Sequence, residues 1–214
     1  MTLVYHFTKE RWARQAVINK RLKIARIADL NDPFELMGLR VRDKRTRQAF
    51  LSWKDEMNRR YGILCFSRNW QSPLLWSHYA DRHRGICLGL EVRSDYLKSI
   101  KYQKTRKDFR NEALDEKLLD YLLFTKFHEW SYEDELRLCS RLETPDSTDD
   151  QYYSELNEDI RLREIIIGPL NELRRADILS DLEKAKIPPG KIRLIKARLA
   201  HKSFAIVRDK RGLI

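Results

Sequence analysis

Two stretches of this chain hold side chains whose types and spacing could do chemistry. In the first, Ser67, Arg68 and Asn69 follow a short apolar run, and Trp76, His78 and Tyr79 then crowd into less than two helical turns. Two of those three rings carry polar ends that need partners, so core packing rarely calls for all of them together. A cleft that holds a flat ring does. In the second stretch, Trp130-Ser131-Tyr132-Glu133-Asp134-Glu135-Leu136-Arg137, three acids sit where a helical pattern hands over to a strand pattern. In an extended chain Glu133 and Glu135 point to one face, with Asp134 opposite. Two carboxylates on one face repel unless something positive lies between them, and Arg137 shares that face. They read either as a surface ion-pair ladder or as a carboxylate pair at the mouth of a cleft, able to bind a sugar hydroxyl or to stabilise a developing cation. A Glu135→Gln change is then expected to remove charge while the fold survives.

Other positions are less specific. His6 is the only histidine of the first strand pattern, between Tyr5 and Phe7. Asn31-Asp32-Pro33-Phe34-Glu35 reads as a turn dense in side chains that bind backbone groups, and it would rigidify a loop beside a site. Cys65, Cys87 and Cys139 each sit in an apolar, strand-like run without metal spacing. They fit buried free thiols in a reducing cytoplasm, since apolar burial raises a thiol pKa and disfavours a nucleophile. The chain lacks a G-x-G-x-x-G, a P-loop, an H-E-x-x-H, a C-x-x-C and a G-x-S-x-G elbow. No metal is expected, and an ordinary serine hydrolase is disfavoured.

The elements that must position these groups follow from pattern. Gly62–Phe66 and Gly85–Val92 are short, apolar and bounded by polar residues, as buried strands are. Leu3–Phe7, Leu22–Ile24, Ile100–Gln103, Leu136–Leu142, Arg163–Gly168, Ile192–Leu199 and Phe204–Val207 also read as strands. Thr8 is placed to cap a helix whose face holds Trp12, Ala16 and Val17. Helical spacing recurs with Phe50, Trp53 and Met57, over Asp108–Trp130 as the longest helix, and over Asp177–Lys186. Glu143–Asp159 holds seven acids and neither Lys nor Arg, and reads as an exposed loop. No regular βαβ alternation, repeat or linker appears. The expectation is one α+β domain over 1–214, with a split, mainly antiparallel sheet and flanking helices.

Hydrophobic content of 42% supports a real core, no apolar run is long enough to span a membrane, and the first residues lack the pattern of a signal peptide. The net charge of +11 is unevenly spread. Basic runs lie over Arg40–Arg60, over Lys98–Arg110 and from Lys184 to Arg211. Such patches attract phosphates by counterion release, which makes nucleic acid a candidate partner, with a solvated surface as the plain alternative.

The motifs together resemble a known family. YHFT, NDPFE, the CFS strand end, LWSHYAD-x-HRGICLGLE, W-x-YEDELRL, REIIIGP and RLIKARL-x-x-KSFAI resemble the bacterial proteins grouped as domain of unknown function 2971, over nearly the whole chain. That pattern is in turn similar to the ADP-ribosyltransferase superfamily, which implies an ADP-ribosyltransferase-like fold and NAD as substrate. It carries a histidine on the first strand to His6, a second strand and aromatic helix to Gly62–Ser67 and Trp76–Tyr79, and an E-x-E pair to Glu133 and Glu135. The resemblance implies that Glu135 stabilises the oxocarbenium-like cation, Glu133 activates or positions the acceptor and His6 holds the adenosine ribose. It further implies that Trp76 or Tyr79 stacks on nicotinamide and that Thr8 and Ser67 line the cofactor site; Arg26 and Arg68, by charge and position alone, are candidates to meet the pyrophosphate. Asn31, Asp32 and His78 are placed with the acceptor. The context it implies is a toxin or phage-defence effector with a neutralising partner protein. Transfer to a macromolecule leads, nucleic acid only slightly ahead of protein. A basic nucleic-acid-binding module without catalysis is the alternative, and NAD hydrolysis a third reading.

Overall fold

The computed structural model describes residues 1–109 and 113–212. Arg110, and the part of the expected long helix at 110–112, lie outside the described residues. The chain is a mixed α/β protein with mostly antiparallel strand pairing. It divides into two compact units.

The first unit comprises Met1–Leu22, Phe66–Tyr96 and the chain from Ser154 onward. Its central strand, Ile86–Val92, is buried at every position but Glu91. That is the physical reason for its unbroken apolar run, since neither face meets water. Thr2–Thr8 pairs antiparallel along one edge, from Thr2 opposite Val92 to Thr8 opposite Ile86. Ile160–Ile167 pairs antiparallel along the other edge, with an irregularity between Leu162 and Glu164. Arg193–Leu199 then adds in parallel and Ile206–Arg208 antiparallel. Helix Glu10–Asn19 buries Ala13 and Val17, whereas Trp12 stays about half exposed. Its N-cap is Lys9, without a side-chain cap, so Thr8 does not cap it. The short helix Pro73–Tyr79 leads into Asp81, Arg82 and His83, all three with positive φ. Three successive non-glycine residues in that region form a strained turn.

The second unit comprises Lys23–Cys65 and Leu97–Tyr153. Strand Tyr61–Ser67 pairs antiparallel with Arg21–Arg26 through Ile63 and Gly62, and also pairs with Glu135–Arg141. Helix Lys44–Arg60 is capped by the Asp43 carboxylate, which accepts from the Thr46 amide at 2.8 Å. It buries the expected Phe50, Trp53 and Met57. The expected long helix is much shorter: among its described residues Glu116–Leu123 alone is α-helical, capped by Asp115. Thr125–Phe127 leaves it as a strand, because its backbone pairs in parallel with Lys101–Gln103. Tertiary pairing overrides local periodicity there.

Candidate functional site

The second unit turns the YEDELR motif into a buried charge cluster. A short 3₁₀ helix, His128–Glu133, ends at Asp134, whose φ of 43° lies in the left-handed region. The chain therefore bends between the two glutamates, and both reach one cation, Lys126. Its Nζ lies 2.5 Å from Glu133 Oε2 and 3.2 Å from Glu135 Oε2. Arg137 meets Glu135 through Nε at 2.7 Å and Nη2 at 3.2 Å. Its outer nitrogens grip Glu35 at 2.9 and 2.5 Å, and Nη1 also donates to the Leu123 carbonyl at 2.8 Å. All five charged side chains are buried, so the surface-ladder reading does not hold.

Burial favours the neutral form of a carboxyl, yet Arg137 and Lys126 outweigh it and hold Glu135 down at about 2. Glu135 and Glu133 in turn raise Lys126 against its burial, and Glu135 and Glu35 raise Arg137. The cluster of Glu35, Glu133 and Glu135 against Lys126 and Arg137 thus carries three negative and two positive charges. Each of the three carboxylates is paired with at least one of the two cations.

A cavity of about 270 Å³ adjoins it in the same unit, with Lys126 in its wall beside Phe34, Lys104, Arg106, Thr125 and Phe127. The NDPFE loop delivers Phe34 as expected of a rigid turn. Asp32 Oδ1 accepts from the Phe34 amide at 2.9 Å, and the Asp32 carbonyl from the Glu35 amide at 3.1 Å. Leu36 is buried with a φ of 58°, a strained position for a branched side chain, and the Glu35–Arg137 pair anchors the residue before it. The Arg106 guanidinium lies 4.9 Å above the Phe34 ring.

The remaining sequence candidates are distributed as follows. His6, Thr8, Ser67, Arg68, Trp76, His78 and Tyr79 belong to the first unit; Arg26, Asn31, Asp32, Glu133 and Glu135 to the second. Half-buried His6 packs edge-on to Phe66 at 6.0 Å. Ser67 is buried, its hydroxyl donating to the Asn69 carbonyl and accepting from the Asn69 amide, so it shapes a turn. Arg68 and His78 are exposed, and Tyr79 lies 6.2 Å from His78. Trp76 is a correction. Its indole is fully buried, packs edge-on to Phe7 at 5.3 Å and donates to the Trp70 carbonyl at 2.6 Å. An enclosed ring offers no face for nicotinamide. Asp32 is corrected likewise: it is 4% exposed and serves its own loop, whereas Asn31 is exposed. Arg26 is engaged by Asp150, at 3.1 Å from its carbonyl and 3.4 Å from its carboxylate, under an acidic loop.

Burial raises all three thiols, Cys65 and Cys87 strongly and Cys139 to about 12, which fits inert cysteines. Among the described residues no group of His, Cys, Asp and Glu could hold a metal ion, and no helix is long and apolar enough to cross a membrane. Lys126, Thr125 and Glu35 were not among the candidate site residues. A signal for Lys126 exists: it is the one charged residue in the mainly apolar stretch from Tyr121 to Phe127. No family model, no curated protein and no solved structure matches the chain.

Proposed function

We propose that this protein is an NAD-dependent mono-ADP-ribosyltransferase acting on a macromolecule, with nucleic acid ahead of protein as acceptor. The observation that carries the reading is the buried Glu133–Lys126–Glu135 clamp, whose Lys126 lines a pocket rimmed by Lys104 and Arg106. Cleavage between nicotinamide and ribose builds positive charge on the sugar. Carboxylates held fixed in a buried cluster stabilise such charge without reorganising. Glu135, held ionised far below neutrality, suits an electrostatic role and not proton abstraction. Glu133 is then the carboxylate that positions the acceptor. Lys104 and Arg106 are exposed cations suited to the pyrophosphate. The roles of His6, Thr8, Ser67, Tyr79, His78 and Asn31 rest on the resemblance alone, and those of Arg26 and Arg68 on charge and position. Nucleic acid is favoured as acceptor by helix Lys44–Arg60, which leaves Lys44, Arg45, Arg47 and Arg59 exposed.

The test is incubation of the full chain with labelled NAD and, separately, RNA, DNA and a cell protein extract. Label on nucleic acid supports the full reading; label on protein alone keeps the transferase and discards the basic-surface argument. A second reading has its own support: both Glu135 oxygens are already engaged by Arg137 and Lys126, as in a purely structural cluster. On that reading the chain is a basic nucleic-acid-binding module. It predicts no label anywhere, with nucleic-acid binding that falls steeply as salt rises.

A further inference from the structure

We propose that the cavity of the second unit seats one nucleoside monophosphate unit. Its ring system lies along Phe34 and Phe127, its phosphate meets Lys104 and Arg106, and one of its polar edges pairs with Thr125. The proposal deepens the transferase reading, and rests on it in taking the unit as one half of NAD.

Four observations converge on this chemistry. First, Thr125 lines the cavity at 8% exposure, and its hydroxyl, shut off from water, has no hydrogen-bond partner within the chain. Buried hydroxyls are almost always paired, and an orphan calls for a partner that the ligand can bring. Second, Phe34 and Phe127 line the cavity yet remain 53% and 46% exposed. Aromatic faces kept open beside a cavity are stacking platforms for a flat ring. Third, Arg106 lies over Phe34 with Lys104 close by in the wall, so positive charge sits next to the aromatic face. Lys126, by contrast, is neutralised by its two glutamates and is no phosphate anchor. Fourth, about 270 Å³ is near the lower end of small-molecule sites. That space suits one nucleotide and is too small for a whole dinucleotide. A simple sugar phosphate would leave the aromatic faces unused, and an apolar ligand would leave Thr125, Lys104 and Arg106 unused.

The same chemistry can come from a free mononucleotide, from one half of NAD or from the terminal nucleotide of a single strand. Calorimetric titration of the full chain with AMP, nicotinamide mononucleotide, NAD, a 5′-phosphorylated oligonucleotide and adenosine separates these sources. The expected result is binding of at least one phosphorylated ligand, with adenosine at least about tenfold weaker for want of the phosphate. Thr125→Val keeps the side-chain shape and removes an unsatisfied hydroxyl, so the melting temperature should hold or rise. Affinity should fall about tenfold, as for loss of one buried hydrogen bond. Phe34→Ala, at an exposed position, should weaken binding at least as much.

Failure of every phosphorylated probe at millimolar concentration overturns the proposal. So does binding that both variants leave unchanged. The two readings fail separately: NAD consumption unaffected by Thr125→Val and Phe34→Ala overturns the pocket and keeps the transferase. Variant-sensitive AMP binding with no NAD consumption keeps the pocket and overturns the transferase.

Discussion

Replacing Glu135 with Gln tests whether the charge cluster is as tightly built as its geometry indicates. The Glu135 carboxyl falls from an ordinary value of 4.5 to about 2 in the folded protein. A difference of about 2.5 in pKa is worth about 3 to 4 kcal/mol at about 1.4 kcal/mol for each pH unit. Removing one member of a buried ion pair costs about 3 to 5 kcal/mol, so two independent routes agree. Because the folded pKa lies below the unfolded one, the unfolded chain binds the extra proton between about pH 4.5 and 2. The stabilisation is therefore complete above about pH 4.5 and is lost as the pH falls towards 2. The glutamine variant has no such proton to bind. Urea denaturation followed by far-ultraviolet circular dichroism, at intervals from pH 7 to 2.5, should show the variant about 3 kcal/mol less stable at neutral pH. That gap should close as the pH falls, since carboxylates common to both proteins cancel in the difference. A gap below about 1 kcal/mol, the level of an exposed ion pair, or one that stays constant down to pH 2.5, would refute the reasoning. The same measurement tests the expectation from sequence that the fold survives this change. Loss of NAD turnover in the variant counts as catalytic only where the protein is shown to remain folded.

Other consequences follow from packing. Trp76→Phe should cost about 2 to 3 kcal/mol, by lost buried area and an unpaired Trp70 carbonyl, read as a lower urea midpoint. Unchanged stability would return Trp76 to the list of ligand-contacting residues. Gly85→Ala should cost about 3 kcal/mol or more, because a Cβ there would lie 2.3 Å from the Thr8 carbonyl oxygen and 2.8 Å from Ala80 backbone atoms, which cannot yield as side chains do. A melting temperature equal to that of the parent would show that this turn can shift. Iodoacetamide at neutral pH should label Cys65, Cys87 and Cys139 slowly in the folded protein and readily in urea, with mass spectrometry as the readout.

Much of this was legible in the order of residues. The run at Gly62–Phe66 falls within a strand, and those at Gly85–Val92 and Arg163–Gly168 do so but for Gly85 and Gly168, because an apolar run bounded by polar residues reports burial wherever the strand later pairs. The turn at Asn31–Glu35 was equally local, set by the Asp32 side chain acting on nearby backbone. The Glu133/Glu135 motif declared that a positive charge must lie between its carboxylates. The tertiary structure decided which one. Lys126 takes that place because its segment leaves the helical pattern to pair with Lys101–Gln103, and Arg137 reaches across 102 positions of sequence to Glu35. The same folding closed Trp76 inside the core and left the Thr125 hydroxyl without a partner beside a cavity. Periodicity records whether a side chain faces water or apolar neighbours. It carries no record of which distant charge, carbonyl or empty space that side chain will meet, because those contacts exist only once separate segments have packed.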